Sequence, residues 1–135
     1  GTYSTESVDY PDYIKPVVKE VLAGAMGVMI CGSGIGMSMA ANRFKGIRAA
    51  LCFDGLMAQL AREHNDANII ALPGDWTDDE TAKKIIQAFL TTAVSSEPRH
   101  LRRMRQISDY EELSSWLGQA GGGCCGGGCG GNCNH

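Results

Sequence analysis

Three short apolar runs limit what this chain can become: Val28-Met29-Ile30-Cys31, Ile47 to Cys52, and Asn68 to Leu72. Each is shorter than a typical helix and lies next to glycine, proline or polar residues, the pattern of a strand buried on both faces. Helix-length segments lie between them. Tyr13, Ile14, Val17, Val18, Val21 and Leu22 recur at spacings of three and four, which predicts a helix over residues 10–23. Short buried strands alternating with helices imply an α/β fold, three layers deep, around a parallel sheet. A doubly wound sheet usually has about five strands. Only three are visible here, and residues 1–9 read as a polar connection, so the first strands of the sheet are expected to be missing.

Local signals place the helices. Asp9 and Pro11 mark a helix start, and Pro16 means that this first helix either starts late or bends. Residues 35–44 predict a short helix. Asp54 caps a helix through Glu63 that turns Met57, Leu60 and Ala61 inward. Thr77 to Glu80 reads as a capping box. It opens a helix with Ala82, Ile85, Ile86, Phe89 and Leu90 on one face. Pro98 starts a basic helix through Ile107. Ser108 to Glu111 reads as a second capping box, for a short helix ending at Leu117-Gly118. The expected organisation is a domain over residues 1–107, a helical extension over 108–120 and a flexible Gly/Cys-rich tail over 121–135.

A chain of 135 residues is one domain's worth. Its net charge of −3 argues against a nucleic-acid binder held by bulk charge. No apolar run approaches the ~18–20 residues of a membrane span, and no basic-then-apolar leader is present. The tail holds four of the six cysteines. The remaining two, Cys31 and Cys52, are no disulfide framework, which points to a reducing, cytoplasmic setting. Cys124, Cys125, Cys129, Cys133 and His135 are soft-metal ligand types, but their spacing is no familiar zinc pattern. Eight glycines in the tail make ordering it costly. No metal or cofactor is expected.

The chemistry concentrates in Cys31-Gly-Ser-Gly-Ile-Gly36, a glycine turn that follows a strand and opens a helix. Gly32, Gly34 and Gly36 let backbone amides approach a ligand, and with the helix N-terminus they form an anion site. Met37 breaks the G-x-G-x-x-G dinucleotide pattern and no P-loop lysine is present, so the turn suits a small anion or a developing oxyanion. The plain alternative is a tight turn with no ligand. Cys31, just ahead of a helix N-terminus, is where a thiol is favoured as the reactive thiolate. The alternative is a small buried hydrophobe, a reading that fits Cys52 better.

These residues, I-C-G-S-G-I-G-M-S-M-A-A-N-R-F-K-G-I-R-A-A-L-C, together with L-A-R-E-H-N-D-A-N-I-I-A-L, E-P-R-H-L-R-R-M and the opening G-T-Y-S-T-E-S-V-D-Y-P-D-Y, resemble the ribose-5-phosphate isomerase B family, which also contains the galactose-6-phosphate isomerase subunits. The resemblance covers roughly residues 1–107. It implies a Rossmann-like fold and a homodimer with active sites at the subunit interface. The implied activity is interconversion of aldose and ketose phosphates through an enediolate, without metal, a step of pentose phosphate metabolism. By the same resemblance Cys31 is the base that moves the proton, and Ser33 supplies a hydroxyl where the family usually has threonine. Gly32 to Gly36 form the oxyanion hole. His64 opens the sugar ring, Asn65 binds substrate beside it, and Arg99 and Arg103 grip the phosphate. The residues support these roles: a base α to a carbonyl needs anion stabilisation nearby, and two arginines four apart share a helix face. His64, at a helix end before a strand, is expected to face the same sheet edge as Cys31. Taken alone, His64 reads first as a surface or helix-end histidine, and the plain alternative for the basic run is a solvated face. His100 is assigned to neither side.

The chain departs from the family pattern in three places. The family's first strand, ending in an Asp-His pair that contributes to substrate binding, is absent along with the helix and strand that follow it. Residues 1–135 alone are therefore expected to be inactive. A family arginine in a G-x-R setting falls near Asp75, an acid that does not replace its contact. The tail has no family counterpart. The leading function is aldose–ketose isomerisation, foremost ribose 5-phosphate to ribulose 5-phosphate. The alternative is a non-catalytic or degenerate module that binds phosphorylated sugar.

Overall fold

A computed structural model describes residues 1–120. The tail expectation, with its cysteines and His135, lies outside the described residues. A 3-10 turn at Tyr10–Tyr13 leads into α1 (Ile14–Leu22), followed by β1 (Gly27–Cys31), α2 (Ile35–Ala41), β2 (Ala49–Leu51), α3 (Gly55–Asn65), β3 (Ile69–Pro73), α4 (Asp79–Thr91) and α5 (Pro98–Ala120). The three strands are parallel in the order β1-β3-β2. The central strand β3 is buried at all five positions, as a strand covered on both faces must be.

Side chains on a strand alternate between faces, so neighbours in β3 serve different layers. Ile69 packs with Ile14, Val18 and Val21 of α1 and Met37 of α2. Ile70 and Leu72 pack with Ala58 and Ala61 of α3 and Ile85 and Phe89 of α4. This is the expected α/β/α sandwich.

Several local expectations change. The first helix starts late: Pro16 is the third residue of α1, where an amide has no intrahelical acceptor to lose. Asp54 caps α3 as expected, its Oδ1 accepting from the Met57 amide at 2.8 Å. Its core-facing residues are the small ones, Ala58 and Ala61, whereas Met57 and Leu60 are exposed. On α4 the cap is Asp78 rather than Thr77. The Asp78 carboxylate accepts from the Thr81 amide at 2.8 Å and the Thr81 hydroxyl at 3.0 Å, and Leu90 is exposed. The break expected at Ser108 is absent, because α5 is one helix from Pro98 to Ala120. Ser108 Oγ donates to the Met104 carbonyl at 3.2 Å, a bond made within a continuing helix. The acids that would close a capping box are engaged elsewhere. Glu111 accepts from the Gly46 amide at 2.9 Å, and Glu112 pairs with Lys45.

Candidate active site

The glycine turn sits at the carboxyl edge of the sheet. Cys31, the last residue of β1, is half-buried, as is Ser33, and Gly32 is exposed. Gly34, the N-cap of α2, has φ of 72°, a left-handed conformation that glycine adopts at little cost. A Cβ there would lie 2.5 Å from Leu51 Cδ1 and 3.1 Å from the Leu72 carbonyl carbon. Ser33 Oγ accepts from the Ile35 amide at 3.3 Å. The loop after β3 grips the turn from the other side: the Gly74 amide donates to Cys31 O at 2.8 Å and the Asp75 amide to Gly32 O at 3.1 Å. That second bond brings the Asp75 carboxylate against Gly32, with Oδ2 2.8 Å from where a Cβ would be. Cys52 is fully buried. Burial, and secondarily the charge of Asp54, pushes its thiol up to about 11, which leaves it protonated and inert at neutral pH.

The remaining candidates cluster elsewhere. His64 and Asn65 end α3, while Arg99 and Arg103 lie exposed, four residues apart, on the first turns of α5. The two elements meet here. The Ser95 amide donates to Glu63 O at 2.9 Å, and the His64 and His100 rings are 4.0 Å apart. Asn65 is exposed, and its amide makes only a long bond, 3.4 Å, to Leu60 O of its own helix. His100 is 5% exposed. Burial first, then the charges of His64, Arg99 and Arg103, hold its imidazole below its ordinary value, with Glu97 opposing.

The register separates these two clusters. Gly27 pairs with Ile69 and Cys31 with Pro73, so Cys31 marks the carboxyl edge and Ile69 the amino edge. Helix α3 runs back across the sheet from Leu51 to Ile69, and its last turn therefore lies at the amino edge. Eleven residues of helix at about 1.5 Å each span roughly 16 Å. The expectation that His64 faces the same sheet edge as Cys31 is corrected on this ground. In a parallel sheet a helix that feeds the next strand must end at the opposite edge. Within one chain the thiol and the arginines lie at opposite edges of the sheet.

An open apolar groove of about 710 Å³ lies along the edge strand β2 between α3 and α5, lined by Leu51, Met57, Leu60, Ile107 and Tyr110. Of the candidate residues it reaches only Asn65, so the groove is not where Cys31 would act. Among the described residues no helix is long and apolar enough to cross a membrane.

The family model described as ribose/galactose isomerase matches residues 1–107. The chain belongs to this family. Ribose-5-phosphate isomerase B of Escherichia coli is 41% identical over 114 residues, covering 83% of this chain and 76% of the relative. Among solved structures of the family, ribose 5-phosphate isomerase of Thermotoga maritima is 53% identical with a TM-score of 0.76, covering 81% of this chain and 76% of that one. The type B enzyme of Leishmania infantum is 46% identical with a TM-score of 0.81, covering 84% and 76%. These neighbours carry the Rossmann-like α/β fold.

The structure brings two further residues against the positions that the family motifs mark. Tyr10 lies over the glycine turn, its ring carbon Cζ 2.6 Å from where a Cβ on Gly36 would be. Nothing local in the sequence links residues 10 and 36. His100 is buried against His64. Its spacing beside two arginines was visible, but its inward orientation depends on how α5 docks on α3.

Proposed function

We propose that this member of the ribose/galactose isomerase family interconverts ribose 5-phosphate and ribulose 5-phosphate in the cytoplasm through an enediolate, as one subunit of a homodimer. The observation that carries the reading is the sorting of the site residues into two halves. One sheet edge presents a thiol beside the backbone of the glycine turn, and the other presents an imidazole near two guanidinium groups. Each half does what one end of a sugar phosphate requires. Cys31 takes the proton α to the carbonyl, and the amides from Gly32 to Gly36 stabilise the oxyanion that develops. Ser33 supplies a hydroxyl at the same end. Arg99 and Arg103 hold the phosphate as a bidentate pair, Asn65 binds the sugar, and His64 exchanges the proton that opens the ring. Because the halves lie at opposite edges of the sheet in one chain, a complete site joins the thiol half of one copy to the arginine half of another. The apolar groove along β2 and α5 offers surface for that second copy.

Isomerisation of ribose 5-phosphate is the test, run on the 135-residue chain and on a form extended through the upstream reading frame. Turnover is expected in the extended form and not in the 135-residue chain. Cys31→Ser should lower kcat by about 10²–10⁴-fold while sugar phosphate still binds. Near-normal kcat in that variant would remove Cys31 from the mechanism. A second reading, a module that binds sugar phosphate without turning it over, is favoured by Asp75, whose carboxylate sits against Gly32 at the glycine turn. Binding with no turnover in either form would establish it.

A further inference from the structure

Among the described residues the His64 side chain makes no hydrogen bond. It is half-buried in the last turn of α3, and no polar partner fixes its rotation. What it touches is the His100 ring, centroid to centroid at 4.0 Å and tilted by 42°, within the range of aromatic pairing. His100 is held far more tightly. It is 5% exposed, and its Nδ1 is buried with no partner among the described residues. Its backbone amide donates to Glu97 O at 2.9 Å in the first turn of α5. The Ser95–Glu63 bond ties the segment before that helix to the turn that carries His64. A ring enclosed in close packing keeps one rotamer, whereas a half-exposed imidazole without a hydrogen bond can rotate.

We propose that His100 is a positioning residue: its buried ring is the platform that sets the His64 imidazole in one orientation beside Arg99 and Arg103. The inference rests on the isomerase reading for its chemistry but not for its geometry. The groups bearing on His100 are His64 from α3, Arg99 and Arg103 from its own helix, and Glu97 at the helix start. All but Glu97 disfavour a charge on it, as does burial. An uncharged platform leaves the phosphate to the arginines and the proton exchange to His64.

Histidine ring NMR of the 135-residue chain reads the platform directly, because a stacked neighbour displaces the His64 ring signals. His100→Ala is expected to collapse that displacement, and His100→Phe, which retains a ring, to preserve most of it. In the active form of the protein, His100→Ala should lower kcat from ribose 5-phosphate about ten- to hundred-fold. KM should change little, since both arginines remain. His100→Phe should rescue most of the loss. Unchanged His64 signals in His100→Ala, or no rescue by a folded His100→Phe, would each overturn the proposal. If His100→Ala fails to fold, His100→Leu fills the space without a ring and takes its place. A wild-type protein without isomerase activity would defeat the functional reading, and the NMR comparison would still decide the platform.

Discussion

Replacing Gly34 with alanine tests whether the glycine turn is as tightly built as the structure requires. The backbone there has φ of 72°, which costs a residue with a Cβ about 1–2 kcal/mol. The added methyl would also stand 2.5 Å from Leu51 Cδ1 and 3.1 and 3.2 Å from the carbonyl carbon and oxygen of Leu72. Leu51 can yield by rotating, but Leu72 is backbone of the central, fully buried strand and cannot move without disturbing both cores. Overpacking of this kind costs typically about 1–3 kcal/mol. The two terms together come to about 2–5 kcal/mol, a large share of a domain's ~5–15 kcal/mol. At roughly 4 °C per kcal/mol the melting temperature should fall by about 8–20 °C. Gly36→Ala is the control. Its Cβ would meet the ring of Tyr10, an exposed side chain on a short surface turn, so it should lose much less stability. Thermal unfolding of the 135-residue chain and both variants, followed by circular dichroism, makes the comparison. A Gly34→Ala protein melting within about 2 °C of the parent would refute the account of the turn.

Other outcomes follow from the same geometry. Arg103→Ala should raise KM for ribose 5-phosphate by about 10–100-fold, the loss of a charge-assisted contact, and leave turnover of unphosphorylated ribose nearly unchanged; equal losses on both sugars would make the arginine structural. Iodoacetamide followed by peptide mapping should label Cys31 and spare Cys52 in the folded protein, because the Cys52 thiol is buried and pushed up to about 11; native-state labelling of Cys52 would contradict this. The folded state holds His100 below its ordinary 6.5, so it resists a proton that the unfolded chain accepts. Above pH 6.5 both states leave the ring neutral and nothing is lost, and stability should decline as pH drops below 6.5 until the folded-state value is passed. His100→Phe should flatten that part of a pH series of melts, and an unchanged slope would count against the buried neutral ring. Asp78→Ala should lower the melting temperature at neutral pH by removing the cap on α4, with the difference vanishing in acid, where the carboxylate held down by the Thr81 bonds is protonated; no difference at neutral pH would dismiss the cap.

Local and periodic information was enough for much of this molecule. The alternation of short apolar runs with helix-period stripes determined an α/β sandwich, because burial on two faces and on one face leave different sequence patterns. The glycine turn, the thiol before it and the arginine pair four residues apart could also be read directly, since each depends on neighbours within one turn. Where a helix start had two rival caps a residue apart, at Thr77 and Asp78, the sequence could not choose. At Ser108 the acid needed for a cap was taken by the distant Gly46 amide. The facing of α3 departs from its hydrophobic pattern because two alanines fill the narrow space against α4, and the larger Met57 and Leu60 are left to the outer groove. Only the tertiary structure decided which site residues share an edge. Parallel strand register sends every returning helix to the opposite edge of the sheet, so His64 ends at the edge away from Cys31. The docking of α5 on α3, which turns His100 inward, follows from contacts between segments some thirty residues apart, and no local pattern encodes it.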